Sequence, residues 1–337
     1  MAKITVTGSE TSFDCGDDDT IMRAALRAGL GFPYECNVGS CGNCRFELQE
    51  GTVHHLRENP PGWSAERDAK RNRYLGCQAR PEGDCRIKVS FRPQYESLHR
   101  PVSRPAELIG VSDITHDIRE FRFRVEEPAP FLPGQYALLT LDGVEGARAY
   151  SMSNLPGQGE WHFQIRRTPD GIATGKLFDD MPLHSKAVID GPYGMAYLRA
   201  DSPRDILCLA GGSGLSPMVS VTRGAAALPD AAGRQIHFLY GGRMVRDICG
   251  EALLRDLPGF GERIHYKGAI SQTEGDGSAG WNGPTGFVHE LAEREFGDRL
   301  AEFEIYFAGP PLMGAAVQKM LMDHKVPPGQ IHFDQFY

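Results

Sequence analysis

Three cysteines lie close together in the sequence, and a fourth follows well downstream. Cys36, Cys41 and Cys44 have the spacing C-x4-C-x2-C, and Cys77 completes the set. This spacing is typical of a plant-type 2Fe-2S cluster, which needs four thiolates, three of them on one loop. A structural zinc site is the alternative, but zinc usually takes cysteines from paired C-x2-C knuckles. The spacing therefore predicts that these four cysteines bind a 2Fe-2S cluster.

The loop that carries the first three cysteines is made of small residues. Gly39, Ser40 and Gly42 leave room for backbone N–H groups to approach the sulfur atoms, and such hydrogen bonds tune the reduction potential. Together with the preceding string Phe32-Pro-Tyr-Glu-Cys36, the loop resembles that of a plant-type ferredoxin domain. The remaining cysteines have no such spacing and are predicted to be ordinary thiols: Cys15, Cys85, Cys208 and Cys249.

A second motif, Arg148-Ala-Tyr150-Ser151, follows a predicted strand and resembles the R-x-Y-S motif of the ferredoxin–NADP reductase family. The Arg148 guanidinium can pair bidentately with a flavin pyrophosphate. Tyr150 lies two residues on, on the same strand face, and can pack along the flavin ring. The Ser151 hydroxyl can hydrogen-bond near flavin N5, so Tyr150 and Ser151 are predicted as the catalytic residues. A surface arginine beside a core tyrosine is the alternative.

The next motifs follow in the order in which that family has them. Gly171-Ile-Ala-Thr174 precedes a helix-like stretch and resembles the family's flavin-phosphate loop, which implies that Gly171 and Thr174 contact the phosphate at a helix N-terminus. Relatives often carry an arginine where this chain has Ile172. Gly191-Pro-Tyr-Gly194 matches the G-P-x-G turn that ends the flavin domain in the family.

A glycine-rich turn comes directly after the apolar residues 206–210. Gly211, Gly212 and Gly214 would let the backbone approach a diphosphate, and the N-terminus of the following helix would face its negative charge. The turn lacks the G-x-G-x-x-G spacing. With Pro217 it resembles instead the G-G-x-G-x-x-P loop of the NAD(P) domains in the same family, which implies that it binds the nucleotide.

Further matches lie closer to the end of the chain. Arg243 resembles the arginine that contacts the nucleotide after a strand. Gly309 and Pro310 belong to a turn that resembles the family's C-G-P-P-x-M turn near the nicotinamide, with Ala308 in place of the usual cysteine. Tyr337 resembles the terminal aromatic residue that covers the flavin ring in several relatives. Plain core packing is the alternative for this tyrosine.

Two different strand patterns must position these motifs. Short alternating strands separated by turn residues predict a small β-barrel or sandwich in the middle of the chain. After residue 204 the pattern changes to apolar strand, glycine turn and helix, which indicates a parallel sheet with crossover helices. The predicted units are a ferredoxin domain at 1–95, a linker at 96–105, a flavin domain at 106–202 and a nucleotide domain at 203–337.

The net charge of the 337-residue chain is −8, which disfavours nucleic acid as a partner. Residues 1–95 contain equal numbers of basic and acidic side chains, so residues 96–337 carry all of the excess. Docking of a neutral cluster domain to its acceptor is therefore predicted to depend only weakly on salt. Because no apolar stretch fits a signal peptide or a bilayer span, we expect a cytoplasmic protein that does not bind membranes.

The order of the motifs resembles the NADH-dependent reductase components of bacterial aromatic-ring oxygenase systems, of the dioxygenase or the monooxygenase type. This resemblance implies three domains: a β-grasp ferredoxin, an antiparallel β-barrel that binds FAD and a parallel-sheet domain that binds NADH. It also implies an oxygenase component or an intermediate ferredoxin as partner, and we expect a monomer. NADH is favoured over NADPH because Asp247 and Glu251 follow the basic residues Arg243 and Arg246 closely.

Two other functions stay open at this point. A related iron–sulfur flavoprotein could serve an acceptor that is not an oxygenase, such as a deoxysugar dehydratase. A binding protein without enzymatic activity, with a structural zinc and a degenerate nucleotide fold, is the more distant alternative. The aromatic compound that a partner oxygenase would attack leaves no trace in the sequence, because the reductase need not touch it.

Overall fold

Three large sheets organise the chain in the computed structural model, which describes residues 1–127, 130–228, 233–274 and 276–334. They succeed one another along the sequence, one for each of the three groups of motifs. The resemblance predicted a β-grasp ferredoxin, an antiparallel barrel and a parallel-sheet domain, and this fold class is confirmed.

The N-terminal sheet is mixed, in the order β2-β1-β7-β3-β5, and β4 and β6 form a separate two-stranded ribbon. Strands β1 and β7 run parallel, and the other pairs are antiparallel. Helix α1 buries its apolar residues under this sheet, which is the β-grasp arrangement. The elements are β1 (Ala2–Val6), β2 (Ser12–Cys15), α1 (Ile21–Arg27), β3 (Arg45–Glu50), β4 (Val53–His55), β5 (Arg73–Leu75), β6 (Ala79–Pro81) and β7 (Cys85–Lys88).

The middle sheet has six antiparallel strands in the order β11-β10-β13-β8-β9-β12. Met152, directly after β11, bridges to Phe163 in β12, so the sheet nearly closes into a barrel rather than opening as a sandwich. The elements are β8 (Val102–Asp113), β9 (Ile118–Val125), β10 (Tyr136–Leu141), β11 (Arg148–Ser151), β12 (Glu160–Arg166), α2 (Ile172–Asp179) and β13 (Lys186–Tyr193). Inward-facing side chains, Trp161 and Phe163 among them, fill the interior.

The C-terminal sheet is parallel, in the order β16-β15-β14-β17-β18. Its central strand is buried along its whole length, as expected for a sheet covered by helices on both faces. The elements are β14 (Ile206–Gly211), α3 (Leu215–Ala226), β15 (Ile236–Gly242), α4 (Glu251–Leu254), β16 (Ile264–Ile270), α5 (Val288–Phe296), β17 (Glu304–Ala308), α6 (Pro311–Asp323) and β18 (Ile331–His332).

One feature of this architecture positions the candidate site. Strands β14 and β17 are neighbours from which the strand order runs in opposite directions, and ligands of such sheets bind at the carboxyl ends of the strands at this switch point. The glycine turn and the Gly309-Pro310 turn both begin there.

The barrel strand β8 begins at Val102, within the interval 96–105 predicted as a linker. The predicted domain boundaries themselves stay predictions.

Candidate functional site

The cysteine loop is folded around the sulfur atoms by backbone that only small residues tolerate. Gly39 and Gly42 have φ values of 82° and 80°, which glycine adopts without strain. The Cys36 sulfur accepts hydrogen bonds from the backbone N–H groups of Ser40 (3.3 Å) and Cys41 (3.4 Å). Such donors stabilise a thiolate, and they stabilise the negative charge of a reduced cluster in the same way.

The four thiols stand as two pairs. The Cys41 thiol hydrogen-bonds to Cys36, and this bond, assisted by backbone N–H groups against the effect of burial, lowers the pKa of Cys36 to about 5. Cys77 pairs with Cys44, whose pKa is raised by that contact and by burial. A cluster of two irons needs two thiolates for each iron, so this arrangement fits it. Within the described residues no three metal-binding side chains converge on a point for a single ion.

The other four cysteines are packing residues, as predicted. Cys15, Cys85 and Cys208 are buried and Cys249 is half-buried. Burial raises the pKa of Cys15 and of Cys208 to about 12, and that of Cys249 to about 11. These thiols therefore stay protonated at neutral pH.

Strand β11 presents the second motif on one wall of a large cleft. Arg148 donates from Nη1 to the carbonyls of Glu145 (3.1 Å) and Gly146 (3.0 Å), while its Nε and Nη2 make no hydrogen bond to the described residues. Those two nitrogens can pair with a diphosphate. Burial raises the pKa of Tyr150 to about 12, so this ring acts through packing and a neutral hydroxyl rather than as a base.

Helix α3 of the nucleotide domain holds Ser151 in place. The Ser216 hydroxyl, in the first turn of α3, donates to the Ser151 carbonyl at 2.7 Å and accepts from the backbone N–H of Gln164 at 3.3 Å. One buried hydroxyl thus connects the barrel strands β11 and β12 to helix α3, which follows the glycine turn. The position of the flavin strand relative to the nucleotide turn is thereby fixed.

The predicted phosphate loop leads directly into helix α2. The Thr174 hydroxyl donates within the turn to the carbonyls of Gly171 (3.2 Å) and Thr168 (3.3 Å) and accepts from the Thr168 backbone N–H. A Cβ on Gly171 would lie 2.6 Å from that hydroxyl, so the turn requires glycine there. Thr174 faces the cleft, whereas Gly171 lies behind it and shapes the turn. Ile172, in the place of the family's arginine, is 72% exposed.

The glycine turn after β14 packs tightly against the turn after β17. A Cβ on Gly214 would lie 1.9 Å from the Ala308 carbonyl oxygen, a backbone atom that cannot move aside. Cβ atoms on Gly211 and Gly309 would each meet the Met313 sulfur, at 2.6 Å and 2.5 Å. Only bare backbone therefore lets the two turns lie side by side, with their N–H groups at the switch point.

These elements enclose one cleft of about 1110 Å³. Most residues predicted for flavin or nucleotide binding line it: Arg148, Tyr150, Ser151, Thr174, Gly211, Gly212, Gly214, Pro217, Gly309 and Pro310. Arg243 does not. Its side chain is 57% exposed and lies 3.6 Å from the Asp247 carboxylate, so the structure does not bring it to the cleft wall. Tyr337 lies outside the described residues.

The cleft also contains residues that the sequence patterns did not single out. Arg166 in β12 pairs through Nε with Asp117 at 2.7 Å and lies beside Gly212, where a Cβ would be 3.4 Å from Nη1. The ferredoxin domain contributes three further arginines and part of the cysteine loop: Arg23, Arg57, Arg80, Asn37, Val38 and Ser40. Alternation along β12 places residues 164 and 166 on one face, but nothing local indicates that the ferredoxin domain faces the cleft.

Asp334 is the ionisable carboxyl group at the junction of the three units. It lines the cleft, and Oδ1 accepts a hydrogen bond from the Met195 backbone N–H at 3.4 Å. Burial, together with the nearby charge of Glu35, raises the pKa of Asp334 to about 8. A proton therefore resides on this carboxyl group at neutral pH.

None of the helices in the described ranges is long and apolar enough to cross a membrane.

Comparison with known families gives one match in each unit. The 2Fe-2S iron-sulfur cluster binding domain matches residues 4–82, the oxidoreductase FAD-binding domain residues 105–197, and the oxidoreductase NAD-binding domain residues 208–319. The three matches follow the order of the motifs. They support the predicted 2Fe-2S, FAD and NAD cofactors.

Individual proteins resemble the chain over nearly its whole length. A ferredoxin–NAD(P)+ reductase of Metapseudomonas resinovorans is 37% identical over 96% of each chain. The ferredoxin–NAD+ reductase component of an alkene monooxygenase system from Xanthobacter autotrophicus is 36% identical, covering 96% of this chain and 98% of its own. The solved structure of the ferredoxin reductase in carbazole 1,9a-dioxygenase superposes with a TM-score of 0.91 at 34% identity, over 100% of this chain and 98% of that one.

Proposed function

The chain belongs to the family of iron–sulfur flavoprotein ferredoxin–NAD(P)+ reductases, and we propose that it passes electrons from NADH through FAD and a 2Fe-2S cluster to an oxygenase component or its ferredoxin. One observation carries this proposal. Residues of the cysteine loop, the flavin strand and the nucleotide turn all line the same cleft, so a nucleotide, a flavin and the cluster loop meet without any domain having to move.

Each wall of the cleft has its own task in this proposal. The glycine turn and the N-terminus of α3 bind the diphosphate of the nucleotide, with Arg166 beside Gly212 as a nearby cation. Arg148 and the α2 turn would hold the phosphates of the flavin, Tyr150 would pack along its ring, and the Ser151 hydroxyl would hydrogen-bond near N5. When bound, FAD accepts a hydride, which carries two electrons, and the cluster takes electrons one at a time.

Asp247 favours NADH over NADPH. It follows β15, the second strand of the nucleotide sheet, and its Oδ2 accepts the backbone N–H groups of Arg243 and Met244, both at 3.0 Å. Its buried Oδ1 makes no hydrogen bond to the described residues and lies 3.8 Å from His116 Nε2. A carboxylate here can accept a ribose hydroxyl and repels a 2′-phosphate. We expect a higher kcat/KM for NADH than for NADPH, and a preference for NADPH in steady-state kinetics would overturn this assignment.

The relatives support an oxygenase as the acceptor. Two of them, 36% and 33% identical, are reductase components of an alkene monooxygenase system and of naphthalene 1,2-dioxygenase/salicylate 5-hydroxylase systems, so an oxygenase of bacterial aromatic-compound catabolism, or its ferredoxin, is the proposed partner. A CDP-6-deoxyhexulose dehydrase reductase of Yersinia pestis is 28% identical over 96% of this chain, and a dehydratase is therefore the second candidate. We propose that the protein is cytoplasmic, because its eight free cysteines suit a reducing compartment, and we expect a monomer.

The test is a visible absorption spectrum of the purified protein before and after anaerobic addition of NADH. We expect a flavin band together with broad iron–sulfur absorption, both bleached by NADH, and two irons for each chain. A colourless protein with stoichiometric zinc would contradict the proposal. Electron transfer from the reduced protein to purified oxygenase components, compared with transfer to a dehydratase, then decides between the two acceptors.

A further inference from the structure

One arginine joins the ferredoxin domain to the flavin barrel. Arg27, in the last turn of α1, donates from Nη1 and Nη2 to the two carboxylate oxygens of Asp190 in β13, at 2.9 Å and 2.8 Å. Its Nε donates to Asp19 at 2.7 Å, and Nη1 also reaches the carbonyl of Pro101 at 2.9 Å. A single guanidinium therefore links helix α1 to the connecting segment and to the barrel.

This ion pair is largely removed from water. The side chains of Arg27 and Asp190 are 26% and 13% exposed, and Tyr193 donates from Oη to the same carboxylate at 2.9 Å. A planar guanidinium that meets a carboxylate with two parallel hydrogen bonds fixes both distance and orientation. Removing one partner would leave the other charge unpaired in a poorly hydrated place, which is strongly unfavourable.

The same seam reaches the cysteine loop through tyrosines. The Tyr34 hydroxyl accepts the backbone N–H of Gly194 at 3.0 Å, and Tyr136 donates from Oη to the carbonyl of Glu35 at 2.5 Å. Glu35 precedes the ligand Cys36 in sequence, and Tyr136 in β10 is the register partner of Ser151. A short path of covalent and hydrogen bonds thus leads from the cysteine loop to the flavin strand.

The two parts of the seam constrain the docking differently. Rings of Tyr34, Tyr136 and Tyr193 pack at centroid distances near 6 Å (6.2 Å and 5.9 Å), and each tyrosine hydrogen bond across the seam is a single contact about which the domain can still turn. The bidentate pair at Arg27 fixes orientation as well as distance. Asp190 and Tyr193, which donates to it, both lie in β13. Tyr193 is the last residue of this strand and one of the packed tyrosines. The ion pair therefore determines the arrangement in which the tyrosines meet the cysteine loop.

We infer that Arg27 is a positioning residue for electron transfer between the flavin and the cluster, because its pairing with Asp190 holds the ferredoxin domain in one docked arrangement on the barrel. The inference rests on the proposed function. Arg27 touches neither cofactor site and acts through β13 and the tyrosine contacts. Electron transfer within the chain then takes place without a swing of the ferredoxin domain.

The experiment separates the two halves of the electron path. On the proposed electron path, ferricyanide would take electrons from the flavin directly, whereas cytochrome c would be reduced through the cluster. In the holoenzyme with Arg27→Ala we expect the NADH–ferricyanide rate to stay at the wild-type level and the NADH–cytochrome c rate to fall at least about tenfold. Arg27→Lys, which keeps the charge but not the fork, recovers only part of the cytochrome c rate.

A readout independent of turnover accompanies these rates. Hydrogen exchange of the Gly194 amide, which donates across the seam to Tyr34, becomes faster in Arg27→Ala. Asp190→Asn keeps the shape of the contact and gives the same pattern if Arg27→Ala fails to fold. The matched control is Arg86→Ala, which removes an arginine of the same domain whose ion pair with Glu50 is exposed and does not cross the seam.

The outcomes are distinct. Equal cytochrome c rates in Arg27→Ala and wild type, or a parallel fall of the ferricyanide and cytochrome c rates, would overturn the inference. Unchanged exchange at Gly194 in both variants would also overturn it. A wild-type protein that does not reduce its cluster with NADH would instead refute the proposed function, since that measurement involves no variant.

Discussion

The cluster pocket takes its four cysteines from one domain, between residues 36 and 77, whereas the dinucleotide cleft takes its walls from all three domains. Backbone N–H groups of the same loop serve the cysteine sulfurs. In the cleft, by contrast, Ser216 and Ser220 of α3 bond to barrel carbonyls, and Arg27 and Tyr136 hold the ferredoxin domain against the barrel. The pocket therefore depends on one domain, and the cleft depends on two seams.

This difference predicts how damage spreads. Replacing a cysteine ligand should remove the cluster and leave the flavin and nucleotide walls as they are. A change at a seam or in a tight turn of the cleft should alter two neighbouring functions together, because the same residues form the contact and the wall.

Loss of a cluster ligand should have the largest effect. In Cys77→Ser we expect cytochrome c reduction by NADH to fall by at least about a hundredfold, because one of four thiolates is missing. Ferricyanide reduction should stay near the wild-type rate. Iron content and the two assays measure this, with Cys208→Ser, at a thiol buried in the nucleotide domain, as the comparison for structural damage. A parallel loss of both activities would show that the pocket is not independent of the cleft.

The next largest effect should come from adding a methyl group to the tightest turn of the cleft. In Gly214→Ala the new Cβ would lie 1.9 Å from the Ala308 carbonyl oxygen, so we expect the free energy of unfolding to fall by about 3 kcal/mol and the KM for NADH to rise. Urea denaturation and steady-state kinetics measure these quantities.

The control for that variant is Gly314→Ala in α6, where a Cβ meets no atom within 4 Å. Alanine is the better helix former by about 1 kcal/mol, so this variant should be as stable as wild type or more so. If both variants behave alike, the contact between the two turns is not what requires Gly214.

Removal of the flavin-strand arginine should have an intermediate effect. We expect Arg148→Ala to raise the Kd for FAD by about ten- to hundredfold, since a charge-assisted hydrogen bond contributes roughly 1.5–3 kcal/mol. Titration of apoprotein with FAD gives the Kd. Lys186→Ala, which breaks an exposed ion pair with Glu107 on the same barrel, should leave it unchanged. Unaltered FAD affinity in Arg148→Ala would remove this residue from the site.

The smallest effect, taken over a single pH unit, concerns the carboxyl group at the junction. Because the pKa of Asp334 is raised to about 8, the native state keeps a proton that the unfolded chain releases above about pH 4. Stability is therefore lost as pH rises from 4 to 8, by up to about 1.4 kcal/mol between pH 6 and pH 7. Asp334→Asn should remove this part of the slope in urea denaturation, and Asp298→Asn, at an exposed position, should not. An unchanged slope in Asp334→Asn would show that this carboxyl group is ionised in the native protein.

Much of the cluster pocket could be predicted from the sequence. The ligand spacing and the small residues of the loop involve positions that are close together in the sequence. A local sequence pattern is therefore enough to predict the chemistry of the loop. The same holds for the glycine turns, where a missing Cβ is a requirement of the turn itself. Arg243 stays a prediction, because an arginine after a strand resembles the family's pattern while its exposed side chain does not line the cleft.

The sequence by itself determined which side chains could hold a cluster, a flavin and a nucleotide, and in which order along the chain they occur. Only the tertiary structure decided that they share one cleft, that Arg166 and the ferredoxin arginines line it, and that Arg27 meets Asp190. The physical reason is distance along the chain. Arg27 and Asp190 are 163 positions apart, and no local periodicity records a contact that exists only after two domains have folded and docked.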